Sequence, residues 1–170
     1  MDNYYTIYFL ILGVFSFFYY TSSPKKNLIL IYFIGTFLIL YFGYRSEDIG
    51  SDTLSYKWIY TNYIETTNSF LEYLKSHSEK SLIFTRIVYY IVKSFGFKSF
   101  LFFIAFLEVS LFIYGLLKLK TYFEAKKSKI DIVLLLLLYS ISFFYININV
   151  NIILNGLALF VFILSIIFYL

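Results

Sequence analysis

The chain has 170 residues, 61% of them hydrophobic and only 14% charged, with a net charge of +4 and a mean hydropathy of +0.78. A soluble globular domain is about half apolar and about a quarter charged, so the composition argues against one and predicts an integral membrane protein. The absence of Cys excludes disulfides, thiolate metal sites and thiol nucleophiles, and the single His, His77, cannot by itself build a His-rich metal centre.

The modest basic excess does not imply nucleic acid, because the lysines are not gathered on one polar domain with aromatics between them. It fits the excess of Lys and Arg in the cytoplasmic loops of membrane proteins. No metal and no cofactor are expected. The abundance of Phe, Ile, Tyr, Lys and Asn hints at an AT-rich genome and a bacterial source.

Residues 3–20 form an uncharged apolar run, about long enough for a hydrocarbon core of roughly 30 Å. The start Met1-Asp2-Asn3 is not basic and no small-x-small cleavage site follows, which argues against a signal peptide. The pairs Tyr4-Tyr5 and Tyr19-Tyr20 suit the two headgroup belts of a spanning helix. Pro24, Lys25 and Lys26 break the pattern, and residues 28–43 make a second span that ends at Gly43. From Tyr44 to Ser81 the chain turns polar. Within this part, residues 54–64 and 70–74 carry apolar and aromatic residues at helical steps. Residues 82–97 are apolar but hold Arg86 and Lys93 on one helical face, which predicts an interfacial or re-entrant helix. Three further spans are expected at 100–117, 132–146 and 150–170, the second containing five consecutive Leu. Asn147, Asn149 and Asn151 mark the turn before the last one.

The predicted fold is therefore all-α and polytopic. It has about five transmembrane helices in one integral membrane domain, and an external loop region, 44–99, with interfacial helices. The short basic loops around Lys25 and Lys126 should both be cytoplasmic, so an even number of crossings lies between them. That places the N-terminus, residues 44–99 and the Asn turn outside. The chain stops at Leu170 within an apolar run, without a polar anchor after Tyr169. This predicts the front part of a longer protein; the alternative is a helix that ends at the inner headgroups.

The candidate chemistry sits mainly between Gly43 and Tyr56. Arg45 carries a planar fork of donors that suits phosphate or carboxylate. It is a candidate clamp for an anionic group such as a lipid-linked diphosphate, or an interfacial anchor or partner for Glu47 or Asp48. Asp52 is a candidate general base, or orienter, for a sugar hydroxyl, and equally a candidate N-cap of the next helix. Tyr56, Tyr60 and Tyr63 share a face with Asp52 and suit either sugar stacking or packing at the membrane interface. Glu108 is the one ionisable residue inside a confident span, which marks it for a substrate or partner role or for a hydrogen bond between helices, to Ser110 or Asn155. Asn151 and Asn155, the latter followed by Gly156, are candidate hydroxyl-binding or helix-contact residues.

Gly43-Tyr44-Arg45, Gly50-Ser51-Asp52-Thr53 and Tyr56 resemble the signature that follows an early span in EpsG-type and Wzy-type polysaccharide polymerases. The resemblance continues through Glu79-Lys80-Ser81-Leu82 and returns at Asn151 to Ala158. There Leu154 and Asn155 stand where the family commonly has Arg and Gln. It implies a multi-pass protein of the bacterial inner membrane that joins polyprenyl-diphosphate-linked oligosaccharide repeats into surface polysaccharide (O-antigen, capsule or exopolysaccharide). Other polysaccharide-assembly proteins would be candidate partners. On this reading Arg45 and Asp52 are catalytic, and Arg45, Tyr44, Tyr56, Glu108, Asn151 and Asn155 line the substrate site. The alternative readings are a non-enzymatic membrane subunit for lipid-linked glycans, or a transporter for them.

Overall fold

The computed structural model describes residues 2–21, 27–46, 51–76, 82–125 and 131–141, together with the isolated helical positions Val161 and Ser165. No strand occurs among the described residues. Two apolar runs give α1 (Asp2–Thr21) and α2 (Asn27–Gly43). The polar part that follows is helical as its periodicity predicts. Here α3 (Ser51–Ile59) passes directly into a π-helical turn at Tyr60–Ile64, where the Glu65 N–H reaches the Tyr60 carbonyl at 3.0 Å.

Helix α4 (Phe70–Ser76) begins on a reciprocal cap. The Glu72 N–H donates to Ser69 Oγ at 3.3 Å, and the Asn68 N–H donates to the Glu72 carboxylate at 2.9 Å. Next come α5 (Leu82–Phe95) and the 29-residue α6 (Phe97–Ala125). The one residue between them, Gly96, has φ 85°, a left-handed conformation that Gly adopts without steric cost. Last is α7 (Ile132–Ile141), capped by Asp131 Oδ1, which accepts the Leu134 N–H at 3.1 Å.

Helices α1, α2, α6 and α7 pack as an antiparallel bundle with α2 at its centre. Tyr8 of α1 meets Tyr41 and Phe42 of α2, while Phe15 meets Phe37. Along α6, Gly43 of α2 lies against Phe102 and Gly35 against Ile113. The α1–α7 pair is tied by Tyr8 Oη donating to the Ser140 carbonyl at 2.7 Å and Tyr19 Oη donating to Asp131 Oδ2 at 2.8 Å. These contacts gather Thr21, Asn27, Ala125 and Asp131 at one end of the bundle. Gly43, Phe97 and Ile141 lie at the other.

A second core forms at that other end, where Ile64, Tyr73, Tyr89 and Val92 pack on Phe97, Phe100, Leu101 and Ile104 of α6. Its connections are closed by Lys93, whose Nζ donates to the carbonyls of Ile64, Glu65 and Thr67 at 2.8–3.1 Å. A cation at a helix C-terminus meets both the orphan carbonyls and the negative end of the dipole. Arg86, seven residues before Lys93 on the same helix, lies 5.8 Å over the Phe70 ring and 5.9 Å over that of Tyr90.

The outer surface of the bundle is apolar: Leu10, Phe17, Tyr32, Phe33 and Leu138 are all well exposed. Contiguous apolar exposure on this scale needs a non-aqueous or protein neighbour. Among the described residues, Phe97–Ala125 is the one helix long and apolar enough to cross a membrane by itself, and Tyr5–Thr21, Ile29–Gly43 and Ile132–Ile141 are shorter apolar helices. Helix α6 outruns the expected span 100–117 at both ends. At 1.5 Å per residue it is about 43 Å long, more than a hydrocarbon core of about 30 Å. Its extra turns carry Lys98 at the start and Lys118, Lys120 and Glu124 at the finish, the last two within 3.7 Å of one another. The remainder of the expected fourth span, the Asn turn and the span 150–170 apart from Val161 and Ser165 lie outside the described residues.

Candidate functional site

The polar segment leaves α2 at Gly43, beside the N-terminal turns of α6. A Cβ on Gly43 would stand 2.6 Å from the Phe102 ring and 3.0 Å from its backbone, so the two helices touch here because Gly43 has no side chain. The chain then turns, and Tyr44 and Arg45 diverge. Tyr44 is 66% exposed, with its ring edge-on to Phe102 at 5.6 Å. Arg45 turns inward and is only 4% exposed.

Inside, Arg45 Nη2 donates to Thr53 Oγ1 at 3.0 Å, and Thr53 is fully buried in the first turn of α3. The bond joins the two halves of the segment, Tyr-Arg and Gly-x-Asp-Thr. On the side of α6, Lys98 Nζ donates to the backbone carbonyl of Arg45. Arg45 is thus held from α3 through its side chain and from α6 through its main chain. Deeper in α6, Glu108 is 1% exposed. Glu108 Oε1 has no hydrogen-bond partner among the described residues.

Beside the buried Arg45 lies an open cleft of about 230 Å³, lined by Gly43, Tyr44, Lys98, Ser99 and Phe102. Its electrostatics are positive. The Lys98 ammonium stands in the wall, and the first turn of α6 presents the positive end of the helix dipole. Ser99 Oγ donates to the Phe95 carbonyl at 2.9 Å, which leaves its lone pairs to accept.

The structure therefore brings Arg45 and Tyr44 to one end of α2 and α6, while Glu108 lies nearer the middle of α6. Asp52 falls in the first turn of α3, one residue from Thr53, and its side chain lies outside the described residues. Tyr56 is half-buried, its ring 5.8 Å from that of Phe100, while Tyr60 stacks on Phe97 at 5.9 Å and Tyr63 meets Trp58 at 5.4 Å. Each of these three rings lies against an aromatic neighbour. Asn151 and Asn155 lie outside the described residues, as do Glu47 and Asp48. Two residues of the site were not singled out by sequence: Thr53, legible only as part of its motif, and Lys98, a single lysine ahead of an apolar run. Among the described residues no group of three or more His, Cys, Asp or Glu is placed to hold a metal ion.

An apolar-surfaced helical bundle with a cationic site at one end defines a membrane-associated protein. Residues 28–170 match the EpsG family, and the chain belongs to that family, which is associated with membranes and with polysaccharide biosynthesis. No curated protein and no solved structure matches the chain.

Proposed function

We propose that the chain is part of a membrane glycosyltransferase that joins polyprenyl-diphosphate-linked oligosaccharides into surface polysaccharide. The observation that carries this reading is the Arg45–Thr53 bond, which makes one buried unit of the family-like segment beside a positive cleft. In the reaction, a hydroxyl of the acceptor sugar attacks the anomeric carbon of the donor. The bond from that carbon to the diphosphate breaks, and polyprenyl diphosphate leaves. Arg45 supplies fixed positive charge toward the leaving group, where charge develops. Asp52 takes the proton of the attacking hydroxyl or orients it. Tyr44 and Tyr56 flank the sugars, and Asn151 and Asn155 hold hydroxyls.

The chain is read as a single multi-pass domain of the bacterial inner membrane, with residues 44–99 on the outer face and the helix 82–95 along the interface. The bundle supports this. The ends that flank residues 22–26 and 126–130, each with lysines, lie together and opposite the site.

The test is allelic replacement in the native host with Arg45→Lys and Asp52→Asn, followed by electrophoresis of the glycan and extraction of lipid-linked repeats. Both variants should lose long-chain glycan and accumulate single repeats on the outer face. Unchanged glycan length would remove both assigned roles. A shortage of lipid-linked repeats outside, instead of an accumulation, would favour a non-enzymatic subunit or transporter that delivers them.

A further inference from the structure

Two lysines at the second core donate to backbone carbonyls, and they differ in what is left over. An ammonium has three N–H donors. Lys93 places its own on Ile64, Glu65 and Thr67, so it is saturated. Lys98 makes one bond among the described residues, to the carbonyl of Arg45. The same side chain lines the cleft with Gly43, Tyr44, Ser99 and Phe102. Arg45, by contrast, is enclosed and engaged with Thr53. A ligand entering beside the exposed ring of Tyr44 meets Lys98 without displacing any wall of the site, whereas the guanidinium stays behind that wall.

We infer that Lys98 is the direct anion contact of this site and that the cleft takes a diphosphate group. The half-buried ammonium keeps its unspent donors for phosphate oxygens. The Ser99 hydroxyl is tied to the Phe95 carbonyl, and Tyr44 flanks the sugar attached to the diphosphate. Arg45 then acts as a positioning residue: its carbonyl fixes the root of the Lys98 ammonium, and its buried charge adds to the field. The identity of the anion rests on the polymerase reading, whereas the cleft and its lysine do not.

The experiment uses the whole chain, purified into lipid nanodiscs and titrated calorimetrically with farnesyl diphosphate, with inorganic pyrophosphate as competitor. Lys98→Gln keeps an N–H for the Arg45 carbonyl but loses the charge. Its binding should weaken at least about tenfold, equivalent to ~1.4 kcal/mol. Lys98→Arg keeps the charge and should stay within about threefold of the parent, because a guanidinium also serves phosphate. Pyrophosphate should displace the lipid, which assigns the recognition to the diphosphate; failure to compete assigns it to the tail and overturns the proposal. Parent-like binding by Lys98→Gln also overturns it, as does a parent protein that binds neither probe. The polymerase reading is decided separately by the glycan of Arg45→Lys and Asp52→Asn cells. Normal glycan there, with weakened binding in Lys98→Gln, keeps the diphosphate site and removes the polymerase.

Discussion

Arg45 and Thr53 stand eight positions apart, one after the end of α2 and the other in the first turn of α3. A threonine there carries no helical signal of its own, and the carboxylates of Glu47 and Asp48 look like better partners on paper. Among the described residues, one partner of the Arg45 side chain is a neutral hydroxyl buried beside it. Thr53→Val removes the acceptor and leaves a buried guanidinium N–H unsatisfied. The loss should be about 1–3 kcal/mol of stability and most of the long-chain glycan, while Thr53→Ser should stay close to the parent in both. Thermal unfolding of the purified variants and glycan electrophoresis check the pair; a valine variant that matches the parent would show that Arg45 is held by other contacts. Glu108 is legible as a lone acid in an apolar run, but its near-complete burial with Oε1 lacking a hydrogen-bond partner among the described residues is not.

At the scale of elements, apolar runs of helix length predicted α1, α2, α6 and α7, and the three- and four-residue steps predicted α3 and α4. Helix α6 runs past the expected span 100–117 at both ends. A lysine marks where hydrocarbon stops, not where a helix stops, and Lys118, Lys120 and Glu124 continue α6 as an exposed face. Gly96 was hidden inside the stretch 82–97, where one glycine in an apolar run does not announce a corner. The α2–α6 contact makes a comparison possible. Gly43→Ala drives a Cβ into both the ring and the backbone of Phe102, and backbone cannot move cheaply. Gly35→Ala crowds Ile113 Cδ1, the far end of a flexible side chain, makes ordinary contact with Val109 Cγ1, and gains helix propensity. Gly43→Ala should cost about 1–3 kcal/mol by overpacking, and Gly35→Ala should be near neutral. Melting temperatures in detergent decide this, and equal shifts would contradict the difference in packing.

At the scale of the molecule, counting lysine-bearing loops sufficed to pair the ends of the bundle. It did not reveal which helix lies in the middle. Helix α2 is apolar all round and so shows no stripe that names its neighbours. Centrality follows from its glycines, Gly35 and Gly43, and from ring contacts that only coordinates display. The arrangement predicts that reporter fusions at Ser94 and Lys127 give signals on opposite sides of the membrane. Signals on the same side would mean that α6, the helix between the two positions, does not cross it.

The tie between Tyr8 and Ser140 has a consequence for the order in which the protein is made. Its two ends are 132 residues apart, so at about 5–20 residues per second α1 waits roughly 7–26 s for its partner on α7 to leave the ribosome. Throughout that delay the faces of Tyr8 and Leu12, buried in the finished bundle, have no final neighbour on that side. Helix α1 lies ahead of the family match, yet it is synthesised first and closed in last. Its run of uncharged, ring-rich residues is what allows it to be held in an apolar surrounding until α7 arrives.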